Sequence, residues 1–474
     1  MIAARAKNKF SFLEGKKILV VGLGITGVSA SMLLKKKGAF VTATDSKKED
    51  DIEGIAELKK ASIKVEAGGH RKESFISSDM IVVSPGVDSR MEFLIEAKKK
   101  GVEVISDIEL FFRLADVPVF AITGTNGKST VTELLAEVFK NAGKRPFMGG
   151  NIGIPVTDFF DVGNGFDSAV LEVSSFHLEN IHTFKPKVAV LLNITEDHLY
   201  RYDGFDDYAR TKMRIFENQD STDVAIVNAG DPVVMAEMKK SKIKSRIIHF
   251  STREVLKEGL YYKVTPFSKG GSGGIQNGAI VWKTQGREDA YDIKGMRLSG
   301  IHNVENVMAV IAAATEAGIP KDVLLKTVME FKGLPHRMEL VAEIKGVTYV
   351  NDSKATNVGS LYKALEGFPS GEKKVVVIAG GRDKGGDYGA LKEVMEHRVK
   401  LVIVIGEAKD KIAASLSSVC EVIRALSLED AVEISAKRAS TGDTVLLSPA
   451  CSSFDMFKSF EHRGETFRRL VGEL

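Results

Sequence analysis

Two cysteines in 474 residues, Cys420 and Cys451, are too few for a disulfide framework. The usage suits a reducing compartment. No uninterrupted run of about 18 apolar residues occurs, so no membrane-spanning helix is expected. The N-terminal stretch MIAARAKNKFSFLEGKK lacks the apolar core of a secretory signal. No charge of one sign dominates: 66 Lys and Arg stand against 63 Asp and Glu, a net charge of +3. Bulk charge therefore gives no reason to invoke nucleic acid or a membrane, though a local basic pocket for a phosphorylated ligand stays open. What the chain does have is length. Single cores stop growing at roughly 250–300 residues, so two or three domains are expected.

Short β-branched runs alternate with amphipathic helical stretches. ILVVG (18–22), FVTAT (40–44) and MIVVS (80–84) read as buried strands, with helical patterns such as VSASMLLKKKG (28–38) between them. That alternation predicts βαβ units around a parallel sheet. It restarts at VPVFAITG (117–124) and continues through DSAVLEV (167–173) and KVAVLLNI (187–194). At 260–295 short alternating strands flank the glycine-rich SKGGSGGIQNG (268–278), which reads as a hairpin tip or loop. The helix VENVMAVIAAATEAG (304–318) closes this block. A third series runs from VTYVND (347–352) through VVVIAGG (375–381), LVIVIG (401–406) and TVLLSP (444–449). The predicted class is α/β with three domains, 1–112, 113–334 and 335–474.

Gly22, Gly24 and Gly27 form GxGxxG between the first strand and a helix, and Asp45 ends the next strand. Such glycines let backbone N–H groups approach a pyrophosphate, and the acid can take ribose hydroxyls. NAD fits this pattern, any nucleotide diphosphate fits it equally, and a tight turn without ligand shares it. GTNGKST (124–130) follows the strand VFAIT and precedes the helix VTELLAEVFKNAG. Strand, loop and helix stand in P-loop order. Backbone amides would hold phosphate oxygens, Lys128 would neutralise the β- and γ-phosphates, and the Ser129 hydroxyl could ligate Mg²⁺. The strict pattern wants glycine where Ile122 stands, so the loop is a shortened P-loop.

GTNGKST, LEVSSFHLE (171–179), LNITEDHLYRY (192–202), GLPHRME (333–339), NDSKATN (351–357), GGRDKG (380–385) and SPACSSFDMF (448–457) occur in that order. Together they resemble the Mur ligase family over essentially the whole chain. NDSKATN resembles its D-glutamate-adding members rather than those that add L-alanine, a diamino acid or a dipeptide. The resemblance implies an N-terminal Rossmann-like UDP-binding domain, a central P-loop ATPase domain and a C-terminal Rossmann-like domain for the incoming amino acid. It implies a cytoplasmic monomer that uses ATP and two Mg²⁺ ions, binds no nucleic acid, and joins D-glutamate to UDP-N-acetylmuramoyl-L-alanine for peptidoglycan synthesis.

Residue roles follow from the same resemblance. Ile25 and Thr26 lie against UDP, with Asp45, Ser46 and Lys47 nearby, Ser84, Pro85 and Gly86 on the same side, and Asn151 and His198 toward the sugar. Gly124, Thr125, Asn126, Gly127, Lys128, Ser129 and Thr130 cradle the ATP phosphates. Asn303 and Asn306 take the adenine side, Arg337 closes over the nucleotide, and Asp352 receives the ribose. Ser129 and Glu172 serve one Mg²⁺; His198 and Lys212, the latter as a carbamate, serve a second. Lys354 and Thr356 face the reaction centre, and His336, Lys384, Thr356, Ser453 and Phe460 bind D-glutamate. Phe460 as plain core packing is an equal reading, and Cys451 reads as a small buried residue. The catalytic set is Lys128, Glu172, His198, Lys212 and Lys354. Residues drawn from three domains predict a site assembled by closure of the third. Competing readings are a related ligase with another amino acid or a folate substrate, an NAD-dependent oxidoreductase, and a non-catalytic nucleotide-binding regulator.

Overall fold

The computed structural model describes residues 9–163, 165–264, 278–284, 286–298 and 300–474. Among these, strands gather into three sheets. The first contains β1 (Lys17–Val21), β2 (Phe40–Thr44), β3 (Lys64–Glu66), β4 (Met80–Val83) and β5 (Glu103–Ser106), in the order β3-β2-β1-β4-β5. All its pairings are parallel. The second contains β6 (Val119–Thr123), β7 (Pro146–Gly150), β8 (Ser168–Glu172), β9 (Val188–Leu191), β10 (Val224–Asn228), β11 (Arg246–Ser251), β12 (Gly259–Val264), β13 (Gly278–Thr284) and β14 (Arg287–Asp292). Its order is β14-β13-β12-β11-β10-β9-β6-β8-β7. The third contains β15 (Glu339–Ile344), β16 (Val347–Asn351), β17 (Val375–Gly380), β18 (Val399–Ile405), β19 (Glu421–Arg424) and β20 (Thr444–Leu447), in the order β15-β16-β20-β17-β18-β19.

The strand sequences explain this layering. A parallel sheet covered on both faces needs apolar residues at every position. In β1, Ile18 and Val20 enter one core while Leu19 and Val21 enter another. In β6, Phe120 and Ile122 face one core and Val119 and Ala121 the other. In β17, Val375 and Val377 face one core, Val376 and Ile378 the other. Each Val, Leu, Ile or Phe among them contributes about 1.5–3 kcal/mol on burial. The antiparallel departures lie at sheet edges: β12 pairs β13, β13 pairs β14, and β15 pairs β16. The glycine-rich tip predicted at 268–278 falls, up to residue 277, outside the described residues; the antiparallel β12–β13 ladder flanks it.

Gly27 shows why the first loop needs glycine. A Cβ there would stand 1.8 Å from the carbonyl oxygen of Gly22, so only glycine lets the helix Ile25–Lys36 start against β1. The helix Asp107–Leu114 spans the predicted 112/113 division. Its Leu110 and Leu114 pack in the core of the first sheet, while Ile108 and Phe111 pack in that of the second. Its buried Glu109 accepts the backbone N–H groups of His182, Thr183 and Phe184.

Candidate active site

In open α/β sheets ligands bind outside the carboxyl ends of the strands, where strand order reverses. In the first sheet that point is β1, flanked by β2 and β4. A cavity of about 560 Å³ lies there. It is lined by Gly22, Gly24, Ile25 and Thr26 after β1, Asp45, Ser46 and Lys47 after β2, and Ser84, Pro85 and Gly86 after β4. Asn151, after β7, also lines it. Asp45 is spent on the loops themselves: its carboxylate accepts Leu23 N–H at 2.5 Å and Lys47 N–H at 2.8 Å. His70 and Asp88 also line the cavity and carried no sequence signal, and His177, inside the motif LEVSSFHLE, lines it without having been assigned a role. His198, expected on this side, is not among its lining residues. It follows β9, in the left-handed region at φ 54°, with Nδ1 3.1 Å from the Tyr200 hydroxyl and Nε2 3.7 Å from Asp197. Burial pushes its imidazole down to about 4, so it stands neutral.

The P-loop leaves β6, which lies between β8 and β9. Gly127 caps the helix Lys128–Asn141 at φ 87°, and a Cβ there would meet Asn306 Oδ1 at 2.4 Å. The loop is stitched to the segment after β9. Asn126 N–H donates to Asn193 Oδ1 at 2.8 Å, and Thr125 Oγ1 donates to the Thr195 carbonyl at 3.0 Å. Lys128 Nζ donates to the carbonyls of Gly124 and Thr125 at 3.0 and 2.8 Å. Lys212 is 2% exposed; its Nζ donates to the Gly124 carbonyl at 2.9 Å and lies 4.7 Å from the Tyr208 ring centre. Burial, then the Lys128 cation, hold the Lys212 amine well below the usual lysine range. Burial also lowers Lys128, against the pull of Glu172 and Asp197.

Glu172 ends β8 and is 1% exposed. Its Oε1 accepts Asn151 Nδ2 at 2.7 Å, and its main-chain carbonyl accepts Asn151 N–H at 2.9 Å. Asn151 therefore links the lining of the first cavity to the carboxylate beside the P-loop. Glu172 Oε2 is buried without a hydrogen-bond partner. A buried carboxylate oxygen without a donor suits a cation, and the Ser129 hydroxyl opens the P-loop helix. Among the described residues no group of three or more His, Cys, Asp or Glu is preformed for a metal. A second metal at His198 and Lys212 therefore needs chemistry that the unmodified lysine lacks.

A second cavity, of about 270 Å³, runs between the second and third sheets. Asn126, Gly127 and Thr130, then Asn303 and Asn306, then Arg337 and Asp352 line it. Arg337 Nη2 donates to Ser129 Oγ at 3.2 Å across the boundary. Asn357 Nδ2 donates to Asp197 at 3.1 Å, and Ser360 Oγ to Asn126 at 2.7 Å. Asp352 accepts Ser448 Oγ at 2.8 Å, and burial pushes its carboxyl up to about 7. Lys354 Nζ lies 4.1 Å from the Phe460 ring centre, so this half-buried ring carries a cation rather than filling a core. His336 is 5% exposed, with Nδ1 2.9 Å from Asn351 Nδ2 and its ring 6.3 Å from that of Phe460. Lys384 is exposed after β17, and its charge reaches Lys128 and His198. Thr356 is half-buried after β16, and Ser453 is 2% exposed after β20. Cys451 is buried, with Sγ 3.0 Å from the Tyr388 hydroxyl.

Family models match this architecture in register: Mur ligase MurD-like N-terminal domain at 16–106, Mur ligase middle domain at 122–314, and Mur ligase glutamate ligase domain at 336–451. The chain is similar to the UDP-N-acetylmuramoylalanine–D-glutamate ligase of Geotalea daltonii, at 46% identity over 98% of each chain. The chain belongs to the Mur ligase family. The same-named protein of Geotalea uraniireducens is also 46% identical, over 98% of each chain. The solved MurF ligase of Thermotoga maritima in complex with ADP shares the fold, with a TM-score of 0.61 at 18% identity, covering 97% of this chain and 96% of that one.

Membership in the Mur ligases removes the oxidoreductase reading of the first glycine loop. It also gives weight to residues that sequence reasoning passed over. Asn193, Thr195 and Asp197 sit in the motif LNITEDHLYRY, where only His198 was expected to act, yet they tie the P-loop down and meet the third sheet. Arg337 was expected near the nucleotide; its partner Ser129, 208 positions away, was not expected.

Proposed function

We propose that this Mur ligase joins D-glutamate, through its amine, to the alanyl carboxylate of UDP-N-acetylmuramoyl-L-alanine at the expense of ATP, as a cytoplasmic step toward peptidoglycan. One observation supports the reading above others: the cavity after β1, β2 and β4 is lined by Asn151, which hydrogen-bonds Glu172 beside the P-loop. A diphosphate-sugar lying in that cavity presents its free carboxyl end to the nucleotide. Relatives carrying this activity in their names align over nearly the whole chain.

The carboxylate cannot be attacked by an amine while its leaving group is oxide. Its oxygen attacks the γ-phosphorus, ADP leaves, and an acyl phosphate remains. The amine of D-glutamate adds to the acyl carbon; the tetrahedral intermediate loses a proton and expels phosphate. Lys128, Lys354 and Arg337 each feel the charge of Glu172 and would surround the transferring group, where cations preorganised out of water stabilise its charge most. Ser129 and Glu172 would hold one Mg²⁺, and His198 with a carbamate on Lys212 a second. Such ions neutralise phosphate charge in flight. The Lys212 amine, which burial holds well below the usual lysine range, would add to CO₂ in its unprotonated form and lose a proton, which turns a cation into an anionic oxygen ligand. Asn303 and Asn306 take the adenine and Asp352 the ribose. Lys384, Ser453, Thr356, His336 and Phe460 bracket D-glutamate. The functional units are 1–112, 113–334 and 335–474, acting in a monomer that engages no nucleic acid.

The test is ADP release with ATP, Mg²⁺, D-glutamate and UDP-N-acetylmuramoyl-L-alanine, each omitted in turn. Turnover needs all four. Turnover with L-alanine or a diamino acid in place of D-glutamate overturns the substrate assignment.

A further inference from the structure

In a parallel α/β unit helices run against the strands, so helix C-termini and strand N-termini share one edge. In the first sheet that edge lies at the opposite end of the strands from the diphosphate cavity. Lysines crowd it. Lys16 and Lys17 open β1, and Lys64 opens β3. Lys35, Lys36 and Lys37 end one helix, Lys59 and Lys60 the next, and Lys98, Lys99 and Lys100 a third. Among the described residues, Lys16, Lys17, Lys35, Lys60, Lys99 and Lys100 are in none of the ion pairs. Most carboxylates near this edge are engaged: Asp79 accepts Lys17 N–H, Asp161 pairs with Lys36, Glu49 with Lys59, Glu66 with Lys64 and Glu103 with Arg113, while Glu14 stays open.

Two further features sit among these lysines. Phe40, the first residue of β2, is 67% exposed. Beside it a depression of about 320 Å³ is lined by Lys17, Lys35, Lys64, Phe40 and the hydroxyl residues Ser62 and Ser77. Clustered lysines around an exposed ring, with a hydroxyl-lined recess, match the chemistry of an anionic bilayer surface: phosphate oxygens for the cations and the hydroxyls, interfacial carbon for the ring.

We propose that this lysine edge is a docking face for the anionic lipid surface of a membrane. The contact is peripheral and electrostatic. The strands of the first sheet, up to five residues long, separate the edge from the diphosphate cavity by roughly 17 Å. Docked protein therefore keeps its substrate cavity turned to the aqueous side. Net charge hides the face, because the basic excess is local.

Co-sedimentation of the full chain with vesicles tests this, comparing pure phosphatidylcholine with a mixture containing about one-third phosphatidylglycerol. Binding is expected only to the anionic vesicles, and loss of binding as salt rises. The triple variant K16E/K17E/K35E should weaken it at least about 100-fold, and Phe40→Ser should weaken it less. The triple variant K239E/K242E/K244E makes the same change in net charge on the second block and should bind like the parent chain. Both triple variants should keep their ligase turnover and melting temperature. Four outcomes overturn the proposal: no binding to anionic vesicles; equal loss in the two triple variants; displacement by millimolar inorganic phosphate, which would assign the recess to a soluble ligand; or stronger binding to a single-stranded RNA of matched charge.

Discussion

Asn151→Ala tests the junction between the two cavities. The bond from Asn151 Nδ2 to Glu172 Oε1 is 2.7 Å long, and Oε2 has no hydrogen-bond partner. The substitution therefore leaves a carboxylate that is 1% exposed without either side-chain partner. A hydrogen bond to a charged group is worth about 1.5–3 kcal/mol. Asn151 is itself exposed, which favours the lower figure and a fall of about tenfold in kcat/KM. Asn151→Asp should do more. Two carboxylates settling about 4 Å apart repel by about 4 kcal/mol near a surface, and solvent reduces that by about half. The variant should fall a further tenfold or so near pH 8 and recover as pH drops and the pair shares a proton. Steady-state kinetics with the UDP substrate varied, beside a melting curve to show an intact fold, reads both effects. If Asn151→Ala stays within twofold of the parent and Asn151→Asp shows no acid-side recovery, the junction does not link the cavities.

Asp352 has a folded-state pKa raised to about 7, so the native state binds a proton that the unfolded chain has released. Its stabilising contribution is full below about pH 4 and is lost as pH rises through 7. Between pH 5 and pH 8 the parent should lose up to about 3 kcal/mol that Asp352→Asn keeps; parallel melting curves across that range would count against the burial argument. Arg337→Lys removes the planar fork that spans to Ser129 at 3.2 Å and should raise the KM for ATP by about tenfold or more; an unchanged KM refutes the role. Carbon-13 bicarbonate should give a carbamate signal in the parent that is missing from Lys212→Met; its persistence in the variant moves the modification elsewhere.

The parts visible from sequence were those that local patterns encode. Continuous apolar runs marked the central strands because both faces are buried, and glycines marked the two loops because a Cβ at Gly27 or Gly127 collides. Sites at strand ends followed from the α/β rule. Contacts between distant segments were not visible, since no local period records them. Arg337 with Ser129, Asn151 with Glu172, and His177 lining the first cavity are of this kind. The 112/113 division followed a change of pattern, yet the helix there serves both neighbours because its apolar residues cover more than one side.

That shared helix decides where the molecule can bend. The first two blocks are welded by a rod embedded in both, with Glu109 riveted to three amides of the second. The third block meets the second at the nucleotide cavity through polar bonds such as those of Arg337, Asn357 and Ser360. The seam near residue 335 is therefore the place to look for a hinge, and a truncation after residue 112 would saw through the rod and spoil two neighbours at once.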